Sequence, residues 1–217
     1  MFKPLSVLTF ALSVLALAVA PLARATMEDD VRALQRQWEE VKYQKPKAQQ
    51  EAAFEALAKS AGTVRDKYPD RVEPEIWYGI VVASYAGAKG GLKALSLAKE
   101  AKQAFEHALE VDPKALDGSA YTSLGSLYYQ VPGWPIGFGD DDKARQMLEA
   151  ALKLNPNGID PNYFYGDYLF RKGDFATAKK VLEHALKAPA RPNRPLADEG
   201  RRKEVEELLA KVRDKTS

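Results

Sequence analysis

One helical pattern recurs three times, and it limits the chain to a narrow set of folds. Ala101, Phe105 and Ala108 share a spacing of four and three with Ala144, Leu148 and Ala151, and again with Ala178, Leu182 and Ala185. In each copy a Glu follows the large residue, a Leu follows the last Ala, and a proline closes the unit at Pro113, Pro156 or Pro189. Residues at i, i+4 and i+7 fall on one helical stripe. A small-large-small stripe lets a second helix approach the alanines and lock around the Phe or Leu. Repetition at 43 and then 34 residues makes each unit one helix pair that buries its face only against its neighbours, the condition of an all-α solenoid.

The first residues stand outside that pattern. Leu5 to Ala20 is an apolar run preceded by Lys3 and followed by Pro21 and Ala23-Arg24-Ala25. We expect residues 1–25 to be a cleavable secretory signal peptide with an A-x-A site before Thr26, because the apolar run is short for a membrane span. The alternative is an uncleaved anchor. The expected product is periplasmic, without a stable membrane anchor, and no cysteine is present to carry a lipid. Removing Lys3 and Arg24 leaves 30 basic against 30 acidic side chains. A balanced chain lacks the cationic surplus that general nucleic-acid binding needs. Without cysteine it also lacks disulfides and thiolate metal sites, so stability must come from packed apolar surface.

Residues 160–189 resemble the tetratricopeptide family, through Gly166 in a first helix, Gly173-Asp174-Phe175 at the turn, and Ala178, Leu182 and Ala185 in a second. Asn162 stands where that family usually has Trp. Pro74 to Gly79 repeats the opening of Pro161 to Gly166, and proline at a first helical turn costs no hydrogen bond. The hairpin after Gly79 is ten residues longer, around Gly87, Gly90 and Gly91. The hairpin after Gly125 is seven longer, through the Pro/Gly-rich stretch 131–142. The expected domain is 26–217, all α, with helix pairs at about 27–69, 74–113, 119–156 and 160–189. Trp38 and Phe54 should face each other in the first pair, and a charged amphipathic helix at 196–213 should form a polar terminal cap.

Few residues present chemistry. His107 and His184 occupy the same repeat position, one repeat or more apart, so periodicity explains both and they cannot converge on one metal ion. Asp140-Asp141-Asp142 lacks the alternating ligands of a calcium loop and suits a helix N-terminus instead. Gly137-Phe138-Gly139 follows no strand and is no phosphate cradle. No nucleophile, base and orienting group can be assembled, and no cofactor motif is found, so we expect a non-enzymatic protein without cofactor or metal. Glu204, Glu206 and Glu207 read as a solvated helix face.

Aromatic residues supply the candidate site. By tetratricopeptide geometry the concave groove should be lined by Ile76, Ile80 and Ala83, by Thr122, Ser126 and Tyr129, and by Tyr163, Asp167 and Phe170, a neutral to apolar wall. Trp77, Ile80, Tyr128, Tyr129, Trp134, Phe138, Tyr163 and Phe170 are the candidate ligand-binding residues, with the Trp134 loop covering the groove. An alternative use of the same aromatics is packing within the core.

The stretch Val131 to Asp142, running into Lys143-Ala144 and a helix ending Leu154-Asn155-Pro156-Asn157, resembles the T-component proteins associated with TRAP transporters. The likeness spans roughly residues 70–213. It implies a periplasmic helical-repeat protein with an apolar cavity, partnered with a solute-binding receptor, sometimes oligomeric, with hydrophobic ligands as suspected cargo. Two functions are therefore expected: a carrier of an apolar small molecule, lipid or sterol-like, accessory to a transport system, or a scaffold that binds a transporter's solute receptor or another periplasmic protein.

Overall fold

In the computed structural model, residues 25–216 are described; the expected signal peptide, apart from Ala25, lies outside them. The elements run α1 (Met27–Glu39), a single π-helical turn (Glu40–Gln44), α2 (Lys47–Lys67), α3 (Val72–Lys89), α4 (Gly91–Val111), α5 (Ala115–Gln130), α6 (Asp141–Leu154), α7 (Ile159–Arg171), α8 (Phe175–Ala185) and α9 (Pro195–Thr216). Consecutive helices pack as antiparallel hairpins. Odd-numbered helices also pack on one another, α1 on α3, α3 on α5, α5 on α7 and α7 on α9, which makes them one layer and the even helices the other.

The tripled pattern works through glycines. A Cβ on Gly79 would lie 2.6 Å from Phe105, one on Gly125 2.8 Å from Leu148, and one on Gly166 2.6 Å from Leu182. Each first helix therefore carries a glycine against the large residue of its partner, and the flanking alanines 101, 108, 144, 151, 178 and 185 are fully buried. The helices approach until backbone meets side chain, and any methyl added between them must displace something.

Side-chain caps open three of the helices, α1, α6 and α8. Thr26 accepts from Asp29 N while Asp29 accepts from Thr26 N, a reciprocal pair that opens α1. Asp140 accepts from the N–H groups of Asp142 and Lys143 ahead of α6, and Asp174 from Thr177 N ahead of α8. Gly173 has φ +79°, the left-handed state that ends α7. The start of α5 is unusual: Leu116, Asp117 and Gly118 all have positive φ, so a left-handed turn precedes the regular helix. Gly118 sits there under Leu154, where a Cβ would come within 2.8 Å.

The C-terminal helix is more than a polar cap. α9 buries Ala197, Val205, Leu208, Leu209 and Val212 against α7 and α8. It also reaches the π-helical turn at the opposite end of the chain. Gly200 lies against the Tyr43 ring, and Lys42 pairs with Glu204 at 3.1 Å. The first and last helical units therefore touch, and the solenoid closes on itself.

Candidate functional site: the central cavity

Closure leaves a cavity of about 1060 Å³ lined mainly by the inner, odd-numbered helices, with Lys47, Gln50 and Phe54 of α2 and Phe105 of α4 also reaching it. α1 and the π turn contribute Trp38, Lys42 and Tyr43, and α3 contributes Trp77, Ile80, Ala83 and Ser84. α5 presents a stripe of hydroxyl and amide groups, Ser119, Thr122, Ser123, Ser126 and Gln130. α7 adds Tyr163, Asp167 and Arg171, the segment before α9 adds Arg191 and Arg194, and α9 itself adds Arg201, Glu204 and Lys211. Six of the nine positions expected in the groove are on this wall: Ile80, Ala83, Thr122, Ser126, Tyr163 and Asp167.

The other aromatic candidates lie off the cavity wall. Of the eight named, Trp77, Ile80 and Tyr163 line the cavity, whereas Tyr128, Tyr129, Trp134, Phe138 and Phe170 do not. Tyr128 meets Phe138 edge-on at 5.9 Å, and Phe170 packs on Phe175 at 5.6 Å. Tyr129 donates its hydroxyl to Asp167 at 2.8 Å and sets its ring against Tyr168. Trp134 is 90% exposed. No residue from 131 to 142 lines the cavity, so the loop does not cover it. The reason is local: Phe138 anchors the loop to Tyr128 and beneath Lys102, on the α4 side of α5, away from the hydroxyl stripe. Trp38 and Phe54 do lie in one cluster with Trp77, Trp38 donating its indole N–H to Ser84 Oγ at 2.8 Å. Ile76 is buried within the core rather than on the wall.

The wall is also charged where neutral lining was expected. Arg191 Nη1 meets Asp160 Oδ2 at 2.5 Å and its Nε meets Asp198 Oδ1 at 2.6 Å. Arg201 bridges Asp160 at 2.7 Å and Glu204 at 2.7 Å, and Arg194 pairs with the buried Glu39 at 2.5 Å. A planar guanidinium can serve two carboxylates at once and still stack on rings, which an ammonium does poorly. Arg201 does both, lying 4.4 Å from the Tyr163 centroid and 4.7 Å from that of Phe164. Arg194 sits 5.0 Å over Trp77.

Opposite charges in the network hold Asp160 and Arg201 in their ionised forms against the cost of burial. Burial works to raise the Asp160 carboxyl, but Arg201, Arg191 and Arg194 outweigh it and hold it at about 2. Burial works against the Arg201 cation, and Tyr43, Asp160 and Glu204 outweigh it, so it stays charged. Burial pushes the Tyr163 phenol up to about 12 and Tyr129 well above its ordinary value, Asp167 adding to the latter. Each arginine has a carboxylate partner, which leaves a polar but locally neutralised surface. Among the described residues no cluster of three or more His, Cys, Asp or Glu side chains could hold a metal ion. His107 and His184 are both exposed, His184 Nε2 lying 3.1 Å from Asn157 Oδ1.

Sequence reasoning missed the Arg191–Arg194 segment and the inner face of α9. Glu204 is half-buried in the network, not part of a solvated face, while Glu206 and Glu207 are exposed. The signal that could have found it was the i, i+3 pair Arg201 and Glu204 beside an apolar stripe of Val205, Leu208 and Val212. That amphipathic face points to a packed helix.

Comparison with known proteins bears on the fold. The tetratricopeptide repeat family model matches residues 159–191, the span of α7, α8 and the Arg191 turn. A solved structure of a thermophilic TPR protein from Thermus thermophilus is similar, with TM-score 0.56 and 17% identity over 88% of this chain and 91% of that one. The crystal structure of MamA aligns with TM-score 0.44 and 20% identity over 76% of this chain and 90% of that one. No curated protein matches the chain. The likeness of residues 131–156 to TRAP T-components rests on the sequence motif alone. The chain thus has a tetratricopeptide-like, all-α solenoid fold, with a repeat at 159–191 that matches the family model.

Proposed function

We propose that the protein is an exported, non-enzymatic scaffold that takes a segment of a partner protein into its central cavity. The observation that carries this reading is the composition of the inner wall. A cavity of about 1060 Å³ is bordered on one side by the α5 hydroxyl stripe and on another by the neutralised arginine network. Extended polypeptide offers main-chain donors and acceptors to such a stripe and places apolar side chains against Ile80 and Ala83. A purely apolar molecule would desolvate the Thr122 and Ser123 hydroxyls without replacing their water contacts, at a cost of about 1–3 kcal/mol for each group left unpaired, whereas Ser119 and Ser126 already donate to Leu116 O and Ser123 O within α5. The geometry therefore favours the scaffold over the lipid or sterol carrier, whose aromatic residues are largely occupied in the core.

The apolar N-terminal run and the T-component resemblance support a periplasmic setting and a solute-binding receptor of a transporter as the partner. Tetratricopeptide-like folds are suited to holding other chains, since the inner helices form one continuous surface. The test fills the cavity. Thr122→Trp should abolish recovery of a stoichiometric partner by the immobilised protein from periplasmic extract, while Lys179→Trp on the outer helix α8 should leave it intact. Equal recovery by both folded variants would refute the site.

A further inference from the structure

Residues 90–99 and 131–139 form an exposed apolar tip where the start of α4 meets the α5–α6 loop, clear of the residues that line the cavity. Its stem is fixed by main-chain hydrogen bonds. Ile136 N and Gly137 N donate to Gly133 O, Gly139 N to Pro132 O, and Asp140 N to Tyr128 O, all between 2.9 and 3.1 Å. Phe138 fastens the stem from inside, edge-on to Tyr128 and 5.8 Å beneath Lys102. A Cβ on Gly137 would stand 3.3 Å from Leu95, so the loop runs beside the first half of α4. From this fixed base Trp134 projects with 90% of its surface exposed and Ile136 with 60%. Leu92, one turn before Leu95, is 82% exposed. These are three of the five large exposed hydrophobic side chains among the described residues, gathered at one place.

The charges adjoining them in sequence are basic, and acidic residues begin only at Glu100, which accepts from the Tyr78 hydroxyl, and at Asp140, Asp141 and Asp142, where α6 starts. Between residues 86 and 99 the chain carries Lys89, Lys93 and Lys99 and no acidic residue, and 130–139 carries no charge at all. Lys99 shares the helical face of Leu92, two turns on, and both Lys93 and Lys99 are exposed. Lys89 is engaged by Glu51 at 2.9 Å.

We propose that this tip docks the protein on an anionic lipid bilayer, Trp134 and Ile136 entering the interface while Lys93 and Lys99 face lipid phosphates. Three side chains on a convex projection cannot cover the roughly 1,200 Å² that a specific protein interface buries. They do suit a bilayer surface, where a Trp ring settles at headgroup depth and basic neighbours add attraction. The site is separate from the cavity, so the solenoid can hold a partner while resting on the membrane. It also gives the exposed Trp134 a role that the cavity does not.

The test uses the full chain and a readout local to the tip. Of the three tryptophans, Trp38 and Trp77 are buried, so iodide quenching reports Trp134. Vesicles of phosphatidylglycerol and phosphatidylcholine should shift the emission of this residue to the blue and shield it from iodide, and pure phosphatidylcholine should do so far less. Lys93→Gln and Lys99→Gln should each raise the lipid concentration for half-shielding about fivefold. Ile136→Ser should weaken shielding with no change in far-UV circular dichroism. Because the signal belongs to Trp134, membrane contact elsewhere in the chain does not produce it. Iodide access that vesicles leave unchanged would overturn the proposal. So would shielding indifferent to lipid charge, or shielding without lipid that grows with protein concentration alongside a dimer in sedimentation, which would assign the tip to a second copy.

Discussion

Replacing Gly166 and Leu182 by alanine, singly and together, tests the packing rule on which the fold depends. Leu182 is fully buried, and a Cβ on Gly166 would lie 2.6 Å from both its Cγ and Cδ2. Leu182→Ala alone removes those atoms and leaves a void, costing about 3 kcal/mol within a usual range of about 2–5. Gly166→Ala alone forces the leucine aside, costing about 1–3 kcal/mol, against about 1 kcal/mol gained from the better helix propensity of alanine. In the double variant the colliding atoms are gone. The new methyl then keeps its propensity gain and fills part of the void, so the double should cost only about 2 kcal/mol where the singles sum to about 4. With a urea dependence of about 2 kcal/mol per molar, that coupling displaces the midpoint by about 1 M. Equilibrium unfolding followed by far-UV circular dichroism reads it directly. Singles that add within about 0.5 kcal/mol would refute the close approach at Gly166. The equivalent pair Gly125 and Leu148 should behave alike.

The arginine network makes stability depend on acid. The Asp160 carboxyl is held at about 2 against an ordinary 3.8, so its contribution is complete above about pH 4 and lost as pH falls toward 2. That contribution amounts to about 2 kcal/mol, and unfolding midpoints measured between pH 5 and 2 should show it. Asp160→Asn should flatten this part of the curve and cost about 3 kcal/mol at neutral pH, because Arg201 would keep its charge in a buried place with one partner fewer. An unchanged acid limb in the variant would count against the network. Trp134→Ala should change stability by less than about 0.5 kcal/mol, since its side chain is almost wholly solvated; a larger loss in thermal unfolding would mean that the loop depends on it.

What the sequence made legible was whatever repeats. Gly79, Gly125 and Gly166 mark the first helices and Phe105, Leu148 and Leu182 the second, and the structure sets each pair in contact although the hairpins between them differ in length. The two histidines yield to the same periodicity. The lengthened hairpins were visible as departures from it, and Asp140 acts as a cap rather than as part of a calcium loop. What escaped was whatever depends on closure. Lys42 and Glu204 lie at opposite ends of the chain, and no local pattern in either says that they pair. The inner charge at Arg191, Arg194 and Arg201 follows from that meeting. The aromatic residues misled for a related reason: helical spacing says that Tyr128, Tyr129 and Phe170 face something, but not whether a ligand or a neighbouring ring takes the place. Tyr129 is settled by the carboxylate of Asp167, one repeat away.

The inner wall of the closed solenoid is where we propose that a partner segment binds. Placing a photo-crosslinking amino acid at Thr122 or Ser126, and at Lys179 on the outer layer, tests it most directly when the adducts are mapped by mass spectrometry. Adducts are expected from positions 122 and 126 to one defined segment of one protein, and none of these from position 179. Adducts arising only from position 179, with the two inner positions silent in folded protein, would contradict it.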